Sequence, residues 1–353
     1  MLVLDNRGLI MTRIKNPART PVACFGELLI RLASIPGKSM SRANELELAI
    51  GGAEANVAMA LSSLGWPTRM LSVLPENPLG GRALAALGEA GVDSSFVELA
   101  DGRMGLYFFE PPSGPISGQV TYDRAGSAFA RSTPEIFNFL SALDGAALLH
   151  LSGITPALGP RSVELALAAV RAAQEAGVPV SFDGNYRVNL WNSWDSDPRT
   201  ILAELIGSAT ILFGNHLDVS LLLGKTFSGD GPDRRREAAE AAFSAFPNLQ
   251  VIASTARQVD SATAHRFASR VDLRESHWQT DEIRIAPIID RIGTGDAFAA
   301  GVLLRWLEDG SAQEMAKSGL ALSAMKHGVS GDSITVTRAA LEAFNPDGAD
   351  VSR

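Results

Sequence analysis

Gly293-Thr294-Gly295-Asp296 places three small residues and a carboxylate at the start of a segment that reads as helix through Trp306. A glycine turn feeding a helix leaves several amide N–H groups without an intrahelical partner. With the helix dipole, these make a site for an anion such as a phosphoryl group. Asp296 has two readings there. It can cap the helix, or it can take a proton from a hydroxyl attacking the bound phosphoryl group. This stretch alone favours neither. The small run Ala297, Ala299, Ala300 and Gly301 would let the helix pack close to a sheet.

A second glycine-to-helix junction lies at Gly51-Gly52, with Glu54 and Asn56 in the first turn of an alanine-rich helix closed by Gly65. Two alternating segments, 103–110 and 118–124, flank a Pro/Gly/Ser turn and read as a hairpin. Period two puts Tyr107 and Phe109 on one face of the first strand, and Val120, Tyr122 and Arg124 on one face of the second. A two-stranded ribbon cannot make a core alone, so it is either an edge hairpin or a lid over a ligand.

These residues need elements to position them. A buried-strand signal at 21–25 is followed by extended segments at 28–34 and 45–50, a helix at 53–64, a strand at 69–74 and a helix at 79–91. Beyond the ribbon the chain alternates regularly. Strands at 146–151, 178–182, 210–213 and 250–253 are interleaved with helices at 162–176, 198–206, 217–223 and 237–245, and helices at 313–327 and 338–343 end the chain. This pattern predicts an α/β fold: a doubly wound, mostly parallel sheet with helices on both faces. Ligands in such sheets bind at the carboxyl ends of the strands. There the sequence places Ser152-Gly153-Ile154, Asp183-Gly-Asn185-Tyr-Arg187, Asn215 and Gly293–Asp296.

Composition narrows the function classes. Hydrophobic residues at 46% and charged residues at 20% suit a globular protein, and 353 residues can bury a large core. The formal charge of −8 gives no electrostatic footprint for nucleic acid. The longest apolar runs are too short to span a bilayer, so no membrane association is expected. The single cysteine, Cys24, excludes an intrachain disulfide framework and a cysteine zinc cluster. Residues 1–20 read as an N-terminal extension without a signal-peptide core, with Met11 as an alternative start, and a cytoplasmic location is the expectation. The GxGxxG fingerprint and the GxxxxGK[ST] loop are both missing, which weakens dinucleotide and P-loop readings.

Gly51-Gly-Ala-Glu-Ala-Asn56 resembles the N-terminal signature of the ribokinase-like (PfkB) carbohydrate kinases, and Gly293–Gly301 resembles their C-terminal signature, more often GAGD. The resemblance spans about Val22 to Thr337. Within the family the chain is most similar to 2-keto-3-deoxygluconate kinases, through 121–128, 151–155, 182–187 with Leu190-Trp191, and 326–332. The resemblance implies an ATP-dependent sugar kinase using Mg2+, with residues 21–353 as the kinase domain and a small β-lid from about 28–50 and 103–124. Asp296 would be the catalytic base, and Gly293, Thr294 and Gly295 the anion hole. Gly51, Gly52, Asn56, Tyr107, Tyr122, Arg124, Ile154, Asp183, Asn185 and Arg187 would hold the sugar. A 2-keto-3-deoxy sugar acid carries a carboxylate that Arg124 and Arg187 could engage by charge-assisted hydrogen bonds.

Asn215, Asp218, Ser254, Thr255 and Lys326 would serve the nucleotide. Here the chain departs from the pattern. The family's N-x-x-E element is Asn215-His-Leu-Asp218, and its glycine loop after the next strand is replaced by Ile252-Ala-Ser-Thr-Ala-Arg257, followed by a polar insertion to Glu282. Two rivals stay open: a kinase for a neutral sugar or nucleoside, and a non-catalytic sugar-acid binder. A homodimer through the lid is a further expectation.

Overall fold

The computed structural model describes residues 19–113 and 116–346. The expected N-terminal extension therefore lies, as far as residue 18, outside the described residues. The main sheet contains β1 (Val22–Phe25), β4 (Thr68–Pro75), β5 (Asp93–Ala100), β8 (Leu148–Ser152), β9 (Val180–Asp183), β10 (Ile211–Phe213), β11 (Val251–Ser261), β12 (Ala264–Leu273), β13 (His277–Gln279) and β14 (Ile283–Ile285). The smaller sheet contains β2 (Leu29–Ala33), β3 (Glu47–Gly51), β6 (Gly105–Glu110) and β7 (Gln119–Asp123).

The strand order of the main sheet is β13-β12-β11-β10-β9-β8-β1-β4-β5, with β14 added on β12. From β5 to β11 all neighbours are parallel. Short, nearly continuous apolar runs such as Leu148–Leu151 suit strands covered on both faces. Alternation sorts their side chains between two cores. Ala23, Phe25, Leu149 and Leu151 face one helix layer, including Pro160–Glu175 and Pro198–Gly207. Val22, Cys24 and Leu148 face the other, including Ala53–Ser63, Thr294–Leu307 and Ala312–Lys326. β1 lies between β8 and β4, so the chain winds outward from it in both directions, which opens a crevice at the carboxyl ends.

Two expectations are corrected at this level. The segment read as a polar insertion, 257–282, is mostly strand: β11 and β12 form a long antiparallel hairpin, with β13 on its edge. β12 is buried along nearly its whole length, and its charged Arg270 and Asp272 are buried too, paired with each other. Gly301 does not serve helix-to-sheet packing. A Cβ there would lie 2.5 Å from the Ser318 carbonyl oxygen, so the glycine lets the helices Thr294–Leu307 and Ala312–Lys326 approach each other.

The smaller sheet runs β3-β2-β6-β7. Its register aligns Arg31, Tyr107 and Tyr122 in one row and Ala33, Phe109 and Val120 in the next. Leu29, Ala33, Tyr107 and Phe109 are buried together, with Val120, Tyr122 and Ile292 packed on them. This face lies over the crevice as a lid. The row Ile50, Ile30 and Leu106 packs into the larger core instead, so apolar burial as well as polar ties anchors the lid to the main body.

Candidate active site

A cavity of about 750 Å³ lies between the lid and the carboxyl ends of the main strands. Thr294–Leu307 begins beneath it, with Gly293 at the N-cap position in the left-handed conformation (φ 77°). A Cβ on Gly293 would sit 1.7 Å from the Asp332 carbonyl oxygen, so conformation and space both demand glycine. The first-turn amides, those of Gly295 and Asp296 among them, have no intrahelical partner and line an anion cradle.

Asp296 is the third residue of that helix, and its carboxylate does not fold back onto the helix as a cap. It accepts a hydrogen bond from Asn56 Nδ2 at 2.6 Å. Asn56 comes from the opposite helix, Ala53–Ser63, whose own N-cap is Gly52 (φ 144°), pressed against the Glu27 carbonyl oxygen. The two glycine junctions thus meet across the cavity floor. Burial, reinforced by the charges of Glu54 and Asp332, pushes the Asp296 carboxyl up to about 7; Asn56 and Arg187 pull the other way. A carboxyl so poised accepts a proton readily near neutral pH.

Asp183 shares the site. It accepts from the Asn185 amide at 3.1 Å, and burial with the charges of Asp296 and Asp218 pushes it up to about 7. Asn185 takes a positive φ of 39°, which turns the chain so that Arg187 reaches the cavity. Arg187 is exposed and, among the described residues, has no carboxylate partner within ion-pair distance. Its guanidinium is therefore available to an anionic ligand.

Most of the expected site residues line this cavity: Gly52, Asn56, Tyr107, Tyr122, Arg124, Ile154, Asp183, Asn185, Arg187, Asn215, Asp218, Ser254, Thr255 and Gly293–Asp296. Several differ from expectation in what they do there. Tyr107 donates its hydroxyl to Asp332 at 2.7 Å, which leaves its oxygen as an acceptor on the cavity wall. Arg124 is buried and commits Nε and one terminal nitrogen to Glu27, whose other oxygen accepts from Ser127. Asn215 and Asp218 form a reciprocal capping box on the helix His216–Leu223, which fixes both side chains at the cavity wall.

Lys326 and Gly51 do not line the cavity. Lys326 is fully buried behind it and donates to the Val329 carbonyl at 3.0 Å. Gly51 is packed against Asp332, whose carboxylate a Cβ at 51 would overlap.

The structure also shows a charged residue that the motifs did not single out, Arg31, and gives a partner to Glu54 of the second glycine junction. Arg31 of β2 donates to Asp290 at 2.6 Å and to Asp332 at 3.1 Å, and its guanidinium lies 4.5 Å over the Phe109 ring. With Tyr107 this forms a buried tie between the lid and the loops flanking the anion cradle. Glu54, 1% exposed, accepts from Ser152 Oγ at 2.6 Å, and burial pushes it up to about 7. A charged residue inside an apolar strand (Leu29-Ile-Arg-Leu-Ala33) was the available signal for Arg31.

Among the described residues no group of three or more His, Cys, Asp or Glu gathers as a metal cage. Mg2+ is commonly held by one or two carboxylates, waters and substrate phosphates. Asp183 and Asp218 fit that donor set: both line the cavity and burial raises both carboxyls, with Asp218 raising Asp183 further.

The comparisons with known proteins agree with this geometry. The profile of the pfkB family carbohydrate kinases matches residues 19–338. The chain is 33% identical over 313 residues to a 2-dehydro-3-deoxygalactonokinase of Haloferax volcanii, covering 89% of this chain and 92% of that protein. The solved structure of a 2-dehydro-3-deoxygluconokinase from Thermotoga maritima superposes with a TM-score of 0.86 at 31% identity, covering 92% of this chain and 98% of that one. Fructokinase-1 of Zea mays is 26% identical over 295 residues, 83% of this chain and 85% of that protein. With the parallel sheet, the small lid and the two glycine-to-helix junctions facing one another, the chain belongs to the pfkB family of carbohydrate kinases.

Proposed function

We propose that the chain transfers the γ-phosphoryl group of ATP to a primary hydroxyl of a 2-keto-3-deoxy (2-dehydro-3-deoxy) sugar acid, with 2-keto-3-deoxygluconate as the reference substrate. The observation that carries this reading is the pairing of a raised, half-buried Asp296 carboxyl at the anion cradle with an unpaired Arg187 on the same cavity wall. Asp296 takes the hydroxyl proton as the oxygen attacks phosphorus. The amides of Gly293–Asp296 receive the charge on the phosphoryl oxygens, and ADP departs along the line of attack. Gly52 and Asn56 position the sugar hydroxyls, with Tyr122 and Ile154 closing round the sugar. Mg2+ on Asp183 and Asp218 would neutralise phosphate charge. The lid excludes water, which favours transfer to sugar over ATP hydrolysis.

Arg187 reads the substrate carboxylate in this account. Arg124, tied to Glu27, acts mainly by holding the lid strand and adds at most its remaining donors. Arg187→Met is expected to lower kcat/KM for the sugar acid about 10- to 100-fold, the range for a lost charged hydrogen bond, and to leave a neutral sugar unaffected. Equal losses on both would remove the carboxylate role.

That commitment of Arg124 is also the specific support for a second reading, a kinase of neutral sugars, which needs no pair of free arginines. Outside the cavity, Leu46 and Leu48 at the lid's outer strand are exposed, and we place a homodimer contact there.

A further inference from the structure

β11 outruns its parallel neighbour. It pairs with β10 only as far as Ala253, and from Ser254 to Ser261 it is held by β12 alone. This length projects past the carboxyl ends of the sheet and carries Ser254, Thr255 and Arg257 along the crevice.

A second cavity of about 720 Å³ adjoins the first on the side away from the lid. The lid residues Leu29, Tyr107 and Tyr122 line only the first cavity, and His216, Arg235 and His327 only the second. Arg257, Thr294 and Gly295 line both, so Arg257 stands at the junction beside the anion cradle.

Arg257 is exposed and, among the described residues, has no carboxylate within ion-pair distance. Arg291 lies close behind. It donates to the Ser261 and Ala262 carbonyls at the hairpin turn, while its Nε is buried without a hydrogen-bond partner. Burial and the nearby Arg257 charge lower the Arg291 pKa, as expected for two guanidinium groups sharing one wall without a counter-ion. In a chain of net charge −8, two uncompensated cations at the mouth of an anion cradle call for a polyanion.

We propose that Arg257, projected by the β11–β12 hairpin and backed by Arg291, binds the triphosphate of the nucleotide where it passes from the second cavity to the anion cradle. A side-chain cation thereby does what a glycine loop after this strand would do with backbone amides. The inference rests on the kinase reading for the identity of the polyanion.

The test is calorimetric titration of Arg257→Gln and Arg257→Lys with Mg-ATP, AMP and the sugar acid, beside turnover of the parent chain. Arg257→Gln is expected to bind Mg-ATP about 10- to 100-fold more weakly, to bind AMP and sugar acid as the parent does, and to keep its thermal midpoint. Arg257→Lys should recover part of the loss. Unchanged ATP affinity, an equal loss for AMP, or a loss confined to the sugar acid would each overturn the proposal. A parent that binds Mg-ATP with this Arg257 dependence but phosphorylates no sugar would sink the kinase reading and leave the phosphate contact standing. A parent that binds no ATP would end both.

Discussion

Asp296 sits at the start of a helix, where a carboxylate normally finds backbone N–H partners that lower its pKa. Here its partner is Asn56, and burial with Glu54 and Asp332 nearby wins, holding the carboxyl up to about 7. Only the ionised form can accept the hydroxyl proton. As pH falls through about 7, kcat/KM should therefore fall tenfold per pH unit, and above that it should level off. A profile flat down to pH 5 would contradict the assignment. Asp296→Asn should lower kcat by about 10²- to 10⁴-fold, the usual worth of a positioned base, with sugar binding measured by calorimetry little changed. The motif at 293–296 was readable in the sequence because glycine and aspartate types report backbone geometry and charge directly. The partners that decide protonation, Asn56 and Glu54, lie some 240 residues away, and only the fold brings them near.

At the scale of elements, the lid is held by apolar packing of Ile30 and Ile50 into the larger core and by the buried tie of Arg31 with Asp290, Asp332 and Tyr107. Removing one partner of a buried ion pair leaves a charge without compensation, at about 3–5 kcal/mol. Arg31→Met should therefore lower the unfolding free energy by about that much in urea denaturation, with faster amide exchange in β2 and β6. A change below about 1 kcal/mol would show that the tie carries little. The strand periodicity of 28–34 and 103–124 made the lid and its facing rows visible beforehand. For Tyr107 and Arg124 the sequence shows which face each side chain takes, and nothing of its protein partner. Asp332 and Glu27 hold those two side chains, and neither stands near them in the chain. The β11–β12 hairpin was hidden for a related reason: many of its polar residues are buried with partners the sequence does not show, as Arg270 is with Asp272.

Across the whole molecule, the carboxyls clustered at the strand ends make ligand-free stability depend on pH. Glu54 and Asp296 are held near 7 in the folded chain, against about 4 when unfolded. Between those values the native state binds more protons, so their contribution is fully present below about pH 4 and is lost as pH rises through about 7. The thermal midpoint of the free protein should fall from pH 6 to pH 8, and Asp296→Asn should flatten that slope. An unchanged slope in the variant would remove Asp296 from the effect. Mg2+ arriving with the nucleotide would offset the same charge, which would link stability to occupancy.

The central claim is that this cavity phosphorylates a sugar acid. It is tested most directly by coupled ADP release measured with 2-keto-3-deoxygluconate, its galactose epimer, fructose and adenosine under one set of conditions. The account predicts turnover of one or both sugar acids at kcat/KM at least tenfold above fructose, with none on adenosine. Preference for fructose or adenosine, or no ADP release with any of the four, would contradict it.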